Sequence, residues 1–197
     1  MAINSILTNT STSILANVSG DVYLIGPDAI VTTSGDAVNG ANTTTAKRII
    51  VQGSLISEQD GIDLGVGGSG GFNQVSIAST GYIFAESDGI EAEGGGNVIV
   101  NEGSIFAVND GMFLLNDGNT VTNYGNITGA TDGIDITGNF NTVTNYGQIT
   151  GGDEGIEIAG NLNVIYNYGA ITTTDEFIGN EAVEASTSTG ETFFLYN

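Results

Sequence analysis

The chain has no cysteine, no histidine and no tryptophan, one proline, and only two basic residues, Lys47 and Arg48, against 23 acidic ones. Each shortage excludes something. Without cysteine no disulfide stabilises the fold, and without cysteine or histidine the nucleophilic triads built on them are ruled out. A polysaccharide lyase working through an arginine base would have Arg48 alone to use. The net charge of −21 repels nucleic acid and anionic lipid, so neither is expected as a partner, while cations are. No apolar run reaches the roughly 18 residues of a membrane-crossing helix, so no membrane insertion is expected. No charged segment precedes an apolar stretch at the N-terminus, so no secretory signal is read there. With 31 glycines beside that single proline, the composition suits a turn-rich β structure.

What is present is a repeat. Residues 119–136 read NTVTNYGNITGATDGIDI, and residues 141–158, 22 positions on, read NTVTNYGQITGGDEGIEI. The glycine of the NYG segment recurs at Gly53, Gly81, Gly103, Gly125, Gly147 and Gly169, spaced by 28 and then by 22 four times. Two residues later come Leu55, Ile83, Ile105, Ile127, Ile149 and Ile171. Four residues before it come Ile49, Ile77, Ile99, Val121, Val143 and Ile165. A second glycine recurs at Gly61, Gly89, Gly111, Gly133 and Gly155, broken by Phe177, and is followed by Ile62, Ile90, Met112, Ile134, Ile156 and Ile178.

Runs of three to five residues, β-branched and bounded by Gly, Asn or Asp, are strands. None is long enough for a helix, and the glycine density disfavours one. The leucine-rich pattern is absent, and an 18-residue hexapeptide coil does not fit the period. The expected fold is all-β, a single-stranded right-handed parallel β-helix (solenoid) of six to seven coils of about 22 residues. Its division is an N-terminal cap at 1–24, coils over 25–178, and a C-terminal cap at 179–197. In the caps, Phe193, Phe194 and Leu195 are expected to close the core. The first coil is degenerate, with Val31 and Val38 in the apolar phases and Ala29 for the glycine. The six-residue excess of the second coil falls at Gly65–Gly71, a loop bulging from one turn.

Equivalent residues of successive coils stack about 4.8 Å apart, so columns become ladders. Two are amide: Asn101, Asn123, Asn145, Asn167 and Asn97, Asn119, Asn141, Asn163. Buried asparagines can bond coil to coil and satisfy turn backbone. A third ladder, Tyr124, Tyr146 and Tyr168, faces outward by parity, as stacked rings or as a platform for sugar rings.

The fourth ladder is acidic: Asp60, Asp88, Asp110, Asp132, Glu154 and Glu176, with Asp63, Glu91, Asp135 and Glu157 three residues further on and Phe113 interrupting. Two unit charges at that spacing repel by roughly 0.9 kcal/mol in water and about 3.5 at an effective dielectric of 20. Either turn N–H groups or bound cations must offset this. Asp-Gly is itself a turn signal, and that reading is preferred because Asp-Gly recurs whatever follows it. Calcium, which takes six to eight oxygens, is the candidate cofactor on Asp60, Asp88, Asp110, Asp132 and Glu154; none is required. No catalytic residues are assigned. A glycosidase needs two spaced carboxylates, but a repeated column supplies such pairs as a matter of architecture.

The two 18-residue units resemble the N-x-V-x-N-x-G-x-I-x-G repeats of bacterial surface β-helices, among them autotransporter passenger domains and long secreted adhesins. The similarity spans about residues 49–178. It implies a secreted or cell-surface β-helix used for adhesion or as a stalk. The expected function is thus a non-enzymatic extracellular or cell-surface module for structure or adhesion, calcium-assisted. Its candidate partners are a glycan, a surface protein, or a second copy through the end caps. The alternative is a carbohydrate-active enzyme or sugar-binding module using Tyr124, Tyr146 and Tyr168.

Overall fold

The computed structural model describes residues 1–40, 45–65, 71–174, 181–185 and 193–197. Among these the chain is all strand and turn, wound as a right-handed parallel β-solenoid of about seven turns. Its strands form three parallel sheets of nine, seven and eight members. A coil takes one strand from each sheet in order, as in Thr120–Asn123, Asn126–Gly129 and Ile134–Thr137. Each pairs in register with the strand 22 residues on.

The core follows from the pleat. In Thr120–Asn123 the burial alternates, with Val121 and Asn123 inside. The second sheet stacks Val31, Leu55, Ile83, Ile105, Ile127 and Ile149, none more than 1% exposed, and the partly buried Ile171 packs on the same core. Corners are tight because coils approach closely there. A Cβ on Gly111 would lie 2.5 Å from Ile127 Cγ2 and would strike the Gly133 carbonyl of the next coil.

Both amide ladders are buried and bonded. Asn123 accepts from Asn101 Nδ2 at 2.8 Å and donates to Asn145 Oδ1 at 2.9 Å and to the Gln148 carbonyl at 3.1 Å. The second ladder works through the backbone: Asn97 N–H donates to Asn119 Oδ1 at 3.0 Å, Asn119 N–H to Asn141 Oδ1 at 2.7 Å, and Asn141 N–H to Asn163 Oδ1 at 2.8 Å. This column is longer than its asparagines. Asn73 N–H donates to Asn97 Oδ1, and Lys47 N–H to Asn73 Oδ1. The residue ahead of each member has a left-handed backbone: Gly20, Ala46, Phe72, Gly96, Gly118, Phe140 and Leu162, with φ between 57° and 76°.

Several expectations need correcting. Ile77 does not stand with Ile49 and Ile99, because Val75 pairs with Ile99 while Ile77 pairs with Asn101. The six extra residues are split. Ile62 precedes its partner Ile90 by 28, Val75 precedes Ile99 by 24, and Ile83 precedes Ile105 by 22. Four therefore lie between Ile62 and Val75, and two lie in the corner Ala78–Gly81, where Gly81 N–H closes a turn on the Ala78 carbonyl at 2.7 Å. Glu176, Phe177 and Ile178 lie outside the described residues. The column positions expected for them are held by Glu181, Ala182 and Val183, since Gly155 N–H meets Glu181 O and Ile156 pairs with Val183.

The segments expected as caps lie in the sheets. Ile3–Ile6 pairs with Val22–Ile25, Thr10 bridges to Val31, and Ile14–Leu15 pairs with Val38–Asn39. At the other end Phe193–Tyr196 pairs with the strand Asn163–Asn167. Leu195 pairs with the buried Ile165 on the core column and Phe194 with Val164 on the outer face, each 45% exposed; the Phe193 side chain lies outside the described residues. Polar-apolar alternation that is weak in single strands had hidden these pairings.

Adjacent residues of one strand give the sharpest test of this register. Ile127→Asp should place an unpaired charge in the core and cost at least about 4 kcal/mol, enough to unfold the chain or lower its melting temperature greatly. Thr128→Asp, on the outer face, should cost less than about 1 kcal/mol. Equal effects in thermal unfolding would refute the register.

Candidate functional site

The corner between the second and third sheets gathers the acids. Its column reads Asp36, Asp60, Asp88, Asp110, Asp132, Glu154 and Glu181, each carbonyl accepting from the residue after the preceding acid. Asp36 and Glu181 carried no sequence signal, since the coils around them are degenerate. The carboxylates accept backbone N–H groups, as Asp-Gly turn chemistry predicts, but from the neighbouring coil rather than from their own turn. Each reaches along the axis: Asp60 Oδ1 accepts Asp88 N–H at 2.9 Å, and Asp88, Asp110 and Asp132 Oδ1 accept the N–H of Asp110, Asp132 and Glu154 at 3.0 Å. The tight corner turns those amides toward the neighbouring coil, and the aspartate is the length that meets them.

A second acidic column lies on the outer positions of the third sheet: Asp63, Glu91, Phe113, Asp135, Glu157 and Glu184. The two columns converge. Carboxylate oxygens of Asp110, Asp132 and Asp135 lie within 4.8 Å of one another, as do those of Asp132, Glu154 and Glu157. Asp135 Oδ1 is shut off from solvent and has no hydrogen-bond partner. Among the described residues the Met1 ammonium pairs with Asp21, away from the corner, and the buried Lys47 ammonium acts on Asp63 at the start of the second column. These acidic clusters have the donor chemistry of a divalent cation site.

Proton affinities follow. Burial first, and then the charges of Asp88, Asp132 and Asp135, push Asp110 up to about 7 against the opposing Asp132 amide. Burial and the charges of Glu157, Asp132 and Asp88 raise Asp135 to about 7. Burial also raises Asp88, Asp132 and Glu157. Glu91 is raised by burial and then by Asp60, and Glu154 by burial and then by Asp132.

Lys47 was not singled out from the sequence, and nothing there distinguishes it from Arg48. Arg48 is exposed, whereas Lys47 is wholly buried in the asparagine column. Its Nζ donates to the Gly40 carbonyl at 2.6 Å. Burial lowers its proton affinity, and the charge of Asp63 partly restores it. Lacking an acceptor, it cannot take the amide of the coil before it, and Asp21 N–H bonds Val18 O instead. Lys47 therefore satisfies a corner carbonyl and lies in the core, away from any substrate.

The tyrosine ladder stands outside, as parity predicts, with Tyr124, Tyr146 and Tyr168 each 48–65% exposed. Ring centroids are 5.0 and 5.1 Å apart and the planes nearly parallel. Each ring thus turns a face to its neighbour along the axis and presents its edge and hydroxyl to solvent. A sugar platform needs open faces, and Tyr146 has a ring on both sides. A second stack, Tyr166 on Tyr196 at 5.0 Å, extends the same device on the first sheet.

The raised carboxyl affinities fix a pH dependence. The folded chain holds these protons more tightly than the unfolded chain, so the stabilisation is present below about pH 4 and is lost as pH rises through about 7. With chelator present, the melting temperature should rise from about pH 8 to about pH 5. Asp135→Asn should raise it at about pH 8 by roughly 2–4 °C and flatten the profile. A melting temperature that falls on acidification over this range would contradict the corner's electrostatics.

Among protein-family models, curated proteins and solved structures none matches the chain, so its functional reading rests on this geometry.

Proposed function

We propose that the chain is a non-enzymatic extracellular or cell-surface module, a rigid stalk or adhesion domain whose acidic corner is neutralised by calcium. The observation that carries the reading is the convergence of the two acidic columns on shared clusters. Asp60, Asp88, Asp110 and Asp132 each use Oδ1 on the next coil's amide, which does not exhaust the acceptor capacity of a carboxylate. Turn chemistry and calcium are thus compatible in one side chain. Against catalysis at the corner stands the regularity of its acids: the same residue types recur coil after coil, where an active site would break the repeat. The resemblance of residues 49–178 to bacterial surface β-helices supports the location.

Thermal unfolding with calcium against chelator, at fixed ionic strength and neutral pH, tests the cation. A site filled at a hundred times its dissociation constant adds about 2.7 kcal/mol. The expected result is a rise in melting temperature beyond that given by sodium chloride of equal ionic strength. If the two salts act alike, the columns are turn chemistry and a surface charge that keeps molecules apart. Antibody binding to intact source cells tests location: labelling without lysis is expected, and labelling only after lysis would overturn it.

A further inference from the structure

The outer positions of the second sheet are not constrained by the core, and in the later coils they are small and polar. The column beginning at Thr32 continues through Ile56, Phe84 and Phe106 before reaching Thr128, Thr150 and Thr172. Two positions on, Glu58 and Glu86 stand where later coils have Val108, Ala130 and Gly152. The apolar departure spans three coils, Ile56, Phe84 and Phe106, and in the first two of them Glu58 and Glu86 accompany it. Neither is needed to build a solenoid, as the later coils show.

The departures line a hollow. The leading coil joins this sheet through the Thr10–Val31 bridge and through Asn9 Oδ1, which accepts Ile30 N–H at 3.0 Å, so residues 9–11 stand as a wall beside Thr32. Between that wall and Phe84 lies a cavity of about 340 Å³, with Ser11, Thr32 and Ser34 offering hydroxyls and Glu58 and Glu86 offering carboxylates. A second hollow of about 390 Å³ shares Ser11 and Thr32 and extends it past Asn9 and Ile30. Phe84 is stacked on Phe106 with centroids 5.8 Å apart, and the pair extends the apolar side of the groove.

We propose that this groove binds a short saccharide, neutral or amine-bearing. Carboxylates accept from pairs of sugar hydroxyls, serine and threonine both donate and accept, and an apolar floor takes the C–H face of a pyranose. The lining carries two acidic residues, Glu58 and Glu86, so a uronate chain is repelled and an ammonium is attracted. The groove goes beyond the stalk reading and does not depend on calcium.

Calorimetric titration of the full chain with glucosamine, glucose and galacturonate oligomers tests it. Saturable binding of the glucosamine or the glucose oligomer, and none of the galacturonate oligomer, is expected. Phe84→Thr restores the residue of the later coils and should weaken binding at least roughly tenfold without changing the melting temperature. Glu58→Gln with Glu86→Gln, at exposed positions, serves as a second variant with the same expected loss. Absence of saturable binding by both uncharged and aminated sugars overturns the proposal. So does equal binding of galacturonate, or binding that both variants leave intact. None of these results bears on the calcium melt, so the two readings fail separately.

Discussion

Each strand of this molecule is hydrogen-bonded to its own counterpart one coil away, and the rest of the structure depends on that pairing. It places like on like. An apolar position becomes a continuous apolar column, as from Val31 to Ile149. An amide position becomes a chain of donors and acceptors, because a carboxamide both donates and accepts. An acidic position becomes a row of like charges. Favourable and unfavourable choices are multiplied equally, so a residue type persists in a column only where its neighbours in that column can tolerate it.

The buried asparagines show the favourable side. A triangular coil must turn its backbone three times, and each turn strands polar groups inside the corner. Asn123 reaches the Asn145 amide and the Gln148 carbonyl at once. In the other amide column each oxygen receives the backbone N–H of the coil before, and Asn73 and Asn97 add their side-chain Nδ2 to the same acceptors. Lys47 breaks that series and shows the rule by exception. An ammonium can satisfy the Gly40 carbonyl but cannot accept, and the amide it fails to serve finds a partner within its own turn.

The acids show the unfavourable side. Aspartate suits the corner because its short carboxylate meets the amide of the next coil. The charge that comes with it is a by-product, and burial makes that by-product more expensive. Protons or cations must answer it, which couples the stability of the solenoid to its medium. On the second sheet the logic runs the other way. No ladder forces Phe84 or Glu86 outward into a hollow, and it is the absence of architectural need that marks them.

How much of this was legible in the residues is uneven. Columns such as Leu55 to Ile149 could be read because a β-helix converts linear period into vertical stacking, and the inside-outside parity of Tyr124 beside Asn123 follows from the pleat alone. The sequence by itself determined the fold class, the period, the core columns and the two amide ladders. It misplaced Ile77 and the extra residues of the long coil, because insertions in a corner shift the phase without leaving a hydrophobic mark. Only the tertiary structure decided that Asp36 and Glu181 belong to the acidic corner, that Asp135 is drawn in beside Asp110 and Asp132, and that Lys47 rather than Arg48 is buried. It also decided that residues 9–11 wall a hollow over Phe84. Those facts depend on where separate coils meet in three dimensions, and a period fixes what stacks on what without fixing how far one column leans toward another.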